Sequence, residues 1–331
     1  MNMSDLPKAI VINEEGPREG FQIESNFVPT TRKIELIDAL SNTGIRHMQI
    51  VSFVNSQRVP GMADAEQVVQ GISQKEGVAY TGLWLNEKGL ERAIATGRLV
   101  IEGRISLCAS ESFLKSNNNK SFSEQEAYNH RVLGIYKELG IPVKLGSILA
   151  VFGCNFEGDI DPAIVIRLVN QMFEIAAEHE IDVEVLSLAD TMAWATPQSV
   201  KHIVGMIRER YPDLRISLHL HDTRGLALAN VYAAMEMGVD MFDSSVAGLG
   251  GCPFAGHKSA AGNVCTEDLV FMCEEMGINT DINLELLLEC ARLAEDIVGH
   301  SLPGSVMHAG SLNKYRAGSR RAGFSNAPKF V

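Results

Sequence analysis

Short apolar runs alternate with longer amphipathic ones along this chain from its first residues to about residue 277. The short runs are AIVINEEG (9–16), HMQIVSFV (47–54), VAYTGLWL (78–85), LVIEGRISLCA (99–109), VKLGSILAVF (143–152), VEVLSLAD (183–190), RISLHLHD (215–222) and MFDSSVAG (241–248). Their length and their bounding residues predict eight strands. Between them lie patterns of helical period. TTRKIELIDALSNTG opens on Thr30 and closes on Gly44, and TPQSVKHIVGMIRERYP carries Pro197 near its start, as capped helices do. The other helical stretches are DAEQVVQGI, NEKGLERAIATG, SEQEAYNHRVLGIYKELG, DPAIVIRLVNQMFEIAAEHE, LALANVYAAMEMG and CTEDLVFMCEEMG.

Parallel strands need a crossover helix between them, so eight strand and helix alternations predict an α/β fold, a closed (β/α)8 TIM barrel. A doubly wound open sheet is the competing fold, but no GxGxxG follows the first strand to support its dinucleotide-binding form. A ninth helical pattern, INLELLLECARLAEDIVG, falls outside the eightfold count and either caps the barrel or mediates assembly. No linker rich in Pro, Gly or Ser divides the chain. Residues 1–300 therefore read as one catalytic barrel with an extra C-terminal helix, and 301–331 as a basic tail.

The chain has 331 residues, 46% of them hydrophobic, enough to bury a large core. The expected location is the cytoplasm, because no apolar run is long enough to span a bilayer and the first residues lack the pattern of a secretory signal. Cys108, Cys154, Cys252, Cys265, Cys273 and Cys290 form no CxxC pair and read as reduced thiols. A net charge of −12 opposes binding to nucleic acid or an anionic membrane. The exception is local: from Ser301 onward there is no acidic residue, while Lys314, Arg316, Arg320, Arg321 and Lys329 appear. Such a segment is expected to be a solvated, mobile tail rather than one that folds over an anionic ligand or a neighbouring subunit.

Active sites of such barrels lie at the carboxyl ends of the strands. Those ends are polar here. The first offers Glu14, Glu15, Arg18 and Glu19, the second Gln49, the sixth Asp190 and Thr191, and the eighth Asp243 and Ser245. The seventh, SLHLHDTRG, carries His219 and His221 two residues apart, on one face of a strand and about 7 Å apart at the backbone. Two neutral imidazoles so placed can converge on one metal ion, although an isolated histidine is more often a core or surface residue. After the eighth strand, Ala247 to Gly256 contains four glycines and Cys252, a composition suited to a loop that approaches or covers a ligand. Cys265, Cys273 and Cys290 lie in helical patterns and are assigned to packing.

The segments GPREGFQIE, SFVNSQRVPGMAD, LADT, HLHDTRGLALANVYAAMEMGVDMFDSSVAGLGGCPFA and AGNVCTEDLVFM resemble the 3-hydroxy-3-methylglutaryl-CoA lyase family, and the similarity runs from about residue 9 to 300. The resemblance implies a (β/α)8 barrel that cleaves a related 3-hydroxyacyl-CoA to acetyl-CoA and a keto acid. It implies Glu19, His219, His221 and Asn263 as ligands of a divalent cation, Mg²⁺ or Mn²⁺, with Zn²⁺ or Co²⁺ as further candidates. Arg18, Asp190, His219 and Cys252 would be catalytic, and Gln22, Gln49 and Thr191 would meet the substrate. The expected partners are the acyl-CoA thioester and a second copy of the chain in a homodimer, with no nucleic acid and no membrane.

Three positions depart from the family pattern. Glu19 stands where the family has aspartate, which moves the carboxylate by roughly 1.5 Å, one carbon-carbon bond. Gln49 replaces a glutamate, and Trp194 puts a large ring where the family has a smaller residue. Clustered at the reacting end, these changes suggest the same reaction on an altered acyl group. The competing readings are a synthase condensing acetyl-CoA with a 2-oxo acid and a catalytically inactive ligand-binding barrel.

Overall fold

The computed structural model describes residues 6–24, 27–250 and 262–316. All eight strands form: β1 (Val11–Glu14), β2 (His47–Ser52), β3 (Ala79–Leu83), β4 (Gly103–Cys108), β5 (Val143–Leu149), β6 (Val185–Asp190), β7 (Arg215–Leu220) and β8 (Met241–Ser244). They make one parallel sheet in the order β3-β2-β1-β8-β7-β6-β5-β4. Sequential neighbours with the first strand against the last is the order of a (β/α)8 barrel. Among the described residues no ladder joins β3 to β4. The seam is instead bridged by Val100 N–H donating to the Tyr80 carbonyl at 2.8 Å, and by the Trp84 indole donating to the Tyr136 hydroxyl at 3.0 Å.

Twelve helices surround this sheet among the described residues: α1 (Gly16–Ile23), α2 (Thr30–Ser41), α3 (Ala65–Gly71), α4 (Glu87–Ala95), α5 (Glu111–Asn118), α6 (Phe122–Glu138), α7 (Pro162–Glu178), α8 (Pro197–Arg210), α9 (Ala227–Met235), α10 (Thr266–Met276), α11 (Leu284–Val298) and α12 (Ser305–Ala309). None is long and apolar enough to cross a membrane. Pro197 opens α8 as expected, with Thr196 and Ser199 forming a reciprocal cap. Thr30 does not cap α2; its hydroxyl donates to Asp64 at 2.6 Å and ties α2 to the start of α3.

Two expectations are corrected. The first apolar run ends as a strand at Glu14, and the chain turns at once into α1. Pro17 in the first turn fixes a helical φ and has no N–H to waste there. The segment from Ser301 is not a solvated tail over its first half. Leu302, Val306, Met307 and Ser311 are buried, and both Asp268 oxygens accept the N–H groups of Ser305 and Val306 that open α12. Residues 317–331, with Arg320, Arg321 and Lys329, lie outside the described residues. The ninth predicted helix is α11, whose face of Leu284, Leu287, Leu288, Ala291 and Ala294 packs against α2 and α10.

A single acid joins the elements that will carry the site. Glu14, fully buried at the end of β1, accepts N–H bonds from Gly16 and Val246, each at 2.8 Å, on one carboxyl oxygen. Its other oxygen takes the Thr266 hydroxyl at 2.6 Å, and Thr266 bonds Ser244 at 2.7 Å. The start of α1, the turn after β8 and the start of α10 are thereby fixed to one another. Burial pushes the Glu14 carboxyl up to about 8, against the pull of these three donors.

Two outcomes follow from this packing. Glu14→Ala strands three buried donors and should cost at least about 3 kcal/mol in urea unfolding, whereas Glu14→Gln keeps the shape and should cost about 1 kcal/mol or less. Because the folded state holds the Glu14 proton above its ordinary 4.5, the associated stability is complete below that value and is lost as pH climbs through about 8. The Gln variant lacks this titration, so its stability relative to the parent should improve between about pH 5 and about pH 9; a flat difference refutes a neutral Glu14. Separately, Gly44 has φ +107°, and a Cβ there would stand 2.2 Å from the Asp281 carbonyl oxygen. Gly44→Ala should therefore destabilise by about 2 kcal/mol or more, and an unshifted unfolding midpoint would contradict this packing.

Candidate active site

At the carboxyl end of the barrel, three segments meet: α1 beyond β1, the end of β7, and the strand-like residues 263–265 that follow β8. Asn263 forms a bridge with His221 and Ser245 with Cys265, so the chain after β8 is sewn back onto β7 and β8. On α1, Arg18, Glu19 and Gln22 are spaced so that they share the helix side nearest the barrel mouth.

Glu19, His219 and His221 converge. The Glu19 carboxylate lies 3.6 Å from His219 Nε2 and 3.9 Å from His221 Nε2, and accepts the Asn263 amide at 2.7 Å. The Nδ1 atoms are already engaged: His219 Nδ1 with Asp243 at 3.0 Å, and His221 Nδ1 with the Asp190 carbonyl at 2.9 Å. Asp243 is itself steadied by the Asn13 amide at 2.9 Å. With Nδ1 occupied, both rings turn Nε2 toward the carboxylate, the orientation that outer partners impose on ligand histidines.

A shared cation tests well against these atoms. Two atoms each about 2.1 Å from one ion stand about 3 to 4.2 Å apart. The carboxylate and imidazole separations fall in that span, beyond hydrogen-bond range. Moreover, Asn263 Oδ1 is buried and without a hydrogen-bond partner among the described residues, a lone pair left for a ligand to satisfy. The set of two imidazoles, one carboxylate and one amide oxygen suits a divalent ion.

The electrostatics are those of a buried cluster of mutually dependent charges. Burial favours a neutral Glu19, but Arg18, His219 and His221 outweigh it and hold the acid down at about 2. Burial likewise opposes charge on His219, and Glu19, Asp243 and Glu15 overcome it, raising the imidazole to about 9. His221 goes the other way: burial, reinforced by His219, lowers it to about 4 and keeps its ring neutral. Arg18 lies between two acids, with Nη1 2.7 Å from Glu19 and Nη2 on Glu15.

The other expected residues are placed as follows. Asp190 ends β6, with one oxygen accepting the Trp194 N–H at 2.7 Å and the other buried and unpartnered among the described residues. Burial raises its carboxyl to about 6 despite that bond. Thr191 turns its hydroxyl to the Ala150 N–H at 2.9 Å, so its oxygen helps to shape the β5 end. Gln22 accepts the Ser52 hydroxyl at 3.1 Å, and Gln49 is buried with Oε1 unpartnered among the described residues. Trp194 is locked rather than loose: its indole N–H donates to Asn155 at 2.7 Å and its ring fills the space beside Gly153, where a Cβ would lie 2.5 Å away. Cys252 lies outside the described residues.

A second buried group, Cys265, Glu267 and Asp268, also brings ligand atoms together. Most of its ligand atoms are committed to structure, however, with Glu267 Oε1 left unpartnered among the described residues. Asp268 caps α12, Glu267 accepts the Ala247 N–H at 2.9 Å, and Gly304 presses so closely that a Cβ would meet Glu267 at 2.3 Å.

Asn13 escaped the sequence reading. Its signal was a lone amide inside the apolar β1, next to the strand that carries Asp243.

The family model described as HMGL-like matches residues 9–294. Hydroxymethylglutaryl-CoA lyase YngG of Bacillus subtilis is 39% identical over 297 residues, covering 90% of this chain and 96% of that protein. The B. subtilis HMG-CoA lyase crystal structure superposes with a TM-score of 0.84 at 38% identity, covering 92% of this chain and 98% of that one. An HMG-CoA lyase of Acinetobacter baumannii, solved with coenzyme A and 3-methylmalate, gives 0.81 at 36% identity, covering 99% and 100%. Matched over nearly all of its barrel and nearly all of these relatives, the chain belongs to the HMGL-like family.

Proposed function

We propose that this protein is a divalent-cation-dependent carbon-carbon lyase that cleaves a 3-hydroxyacyl-CoA related to 3-hydroxy-3-methylglutaryl-CoA into acetyl-CoA and a keto acid. The observation that carries this reading is the meeting of Glu19, His219 and His221 beside the unpartnered oxygen of Asn263, flanked by Arg18 and Asp190. Membership of a family whose relatives are named hydroxymethylglutaryl-CoA lyases supports the reaction class.

Glu19, His219, His221 and Asn263 would hold the cation, with Mg²⁺ or Mn²⁺ suited by the oxygen donors and Zn²⁺ or Co²⁺ by the imidazoles. When bound, such an ion supplies a Lewis acid that polarises the substrate's oxygens. Asp190, through its unpartnered buried oxygen, accepts the proton of the 3-hydroxyl, with His219 the other candidate. The bond between C2 and C3 then breaks, C3 becomes a ketone, and the electron pair passes to the thioester enolate. Arg18 stabilises the enolate oxygen, worth about 3 kcal/mol for a well-placed donor. Cys252, assigned from the GLGGCP resemblance, returns a proton to C2.

Gln49 supports an altered acyl group, since a buried neutral amide with a free oxygen asks for a donor that a glutamate would meet as an anion. The acyl-CoA thioester and a second copy of the chain are the expected partners, a homodimer being the commonest closed assembly of soluble enzymes. The five described cysteines are free and buried, which supports a reducing compartment such as the cytoplasm. Residues 1–300 would act as the catalytic unit.

Purified protein with Mn²⁺ should release acetyl-CoA from at least one member of a panel of 3-hydroxyacyl-CoA thioesters and lose that activity with a chelator. Stoichiometric Mn²⁺ without release from any thioester would overturn the lyase reading, and thiol release from acetyl-CoA plus 2-oxo acids would replace it with the synthase. Protein without affinity for Mn²⁺ would instead be an inactive barrel. In a second measurement, Asp243→Asn should weaken Mn²⁺ binding about 10- to 100-fold in titration calorimetry, because it loosens the His219 ring without touching the ion. Unchanged affinity would separate His219 from the cation.

A further inference from the structure

Glu15 is a buried carboxylate at the mouth of the barrel that the reaction as derived does not use. It occupies the residue before α1, where a side-chain oxygen ordinarily accepts an N–H of the first turn. Glu15 makes no such bond. Its main chain already starts the helix: its carbonyl accepts the N–H groups of Arg18 at 3.1 Å and Glu19 at 2.8 Å, and its own N–H is fixed to the Ser244 carbonyl at 2.8 Å. The backbone is thus pinned between β8 and α1, and the carboxylate is turned three residues along the helix onto Arg18 Nη2.

Arg18 therefore sits in a two-sided grip, Nη1 on Glu19 and Nη2 on Glu15, with Nε buried and unpartnered among the described residues. The two grips are not equivalent. Glu19 also takes the Asn263 amide and faces both histidines, so its charge is divided. Glu15 has Arg18 as its hydrogen-bond partner and both side chains are close to buried, 10% and 12% exposed. A pair removed from water holds its geometry where a solvated pair does not.

Resting on the lyase reading above, we propose that Glu15 is a positioning residue that fixes the rotation of the Arg18 guanidinium, and with it the direction in which the remaining N–H donors meet the thioester oxygen. A planar fork held at both terminal nitrogens has one orientation left for its remaining donors. Misplacing such a donor by about 1 Å is enough to cost about 100-fold in rate.

The test uses the full-length protein and three variants. Glu15→Gln keeps the shape and removes the charge; Glu15→Ser restores a good helix start without a grip on Arg18; Glu15→Asp is the conservative rescue. For Gln and Ser, kcat should fall about 10- to 100-fold, with KM for the best thioester of the panel within about 3-fold and Mn²⁺ affinity within about 2-fold; Asp should recover part of kcat. The second readout needs no turnover: the Arg18 Nε–H resonance, assigned by its absence in Arg18→Lys, should be sharp in the parent and averaged in the Gln and Ser variants. Full kcat in Glu15→Ser would reduce Glu15 to a helix start and overturn the proposal, as would a loss of Mn²⁺ affinity equal to the loss of rate. If the parent cleaves no thioester but the resonance still depends on Glu15, the positioning stands and the reaction class fails. An Arg18 resonance indifferent to Glu15 overturns the positioning whatever the activity.

Discussion

The arrangement depends on the buried carboxyl of Glu14, the point at which β1, α1, the turn after β8 and α10 are held to one another. Each of those segments delivers something to the site. Helix α1 brings Arg18 and Glu19, and the chain between β8 and α10 brings Asn263. Backbone donors at a helix start and a tight turn would otherwise be buried without partners, so the acid satisfies them and fixes the approach of α1 to the histidines in the same act. The separations of 3.6 and 3.9 Å between Glu19 and the two rings are set by this remote joint as much as by the residues themselves.

Around the site the charges are balanced in pairs, none of them self-sufficient. Three acids, Glu15, Glu19 and Asp243, surround Arg18 and His219, while His221 is kept neutral. Burying such a cluster is costly unless each member is bonded. Here the outer bonds, Asn13 to Asp243 and Asp243 to His219, fix ring direction, and among the described residues the inner atoms of Asn263, Asp190, Gln49 and the Arg18 Nε remain unsatisfied. Unsatisfied polar atoms that face one another across a few ångströms of a barrel mouth are what a site built for ligands looks like from the protein side.

Much of this was legible in the chain. All eight strands announced themselves because inward and outward positions in a barrel wall are both buried, giving continuous apolar runs. His219 and His221 could be paired because a strand repeats every second residue, and the polar ends of β1, β6 and β7 marked the mouth. Helix α1 was not legible: GPREGFQI holds two glycines, its buried face of Gly16, Pro17, Gly20 and Phe21 carries a single large apolar side chain, and Glu14 and Pro17 fix its start. The grip of Glu15 on Arg18 was hidden for the same reason, since a three-residue spacing has meaning only once the helix is known. The tail misled because its basic residues outweighed a few apolar ones in the reading, whereas Leu302, Val306 and Met307 find a surface between α10 and α11 that no local pattern reveals.

At the seam between β3 and β4 no ladder runs among the described residues; the main-chain bond from Val100 N–H to the Tyr80 carbonyl and a set of side chains close that joint of the hoop. At that joint Tyr136 takes the Trp84 indole on its hydroxyl, and its ring crowds Gly103 so tightly that a methyl group there would lie 2.5 Å away. Packing against one aromatic ring therefore takes part in holding this joint. Elsewhere along the wall the strand spacing is dictated by the peptide ladder; here side-chain volume contributes as well, so a change at Tyr136 would be felt at this joint as it would at no laddered pair.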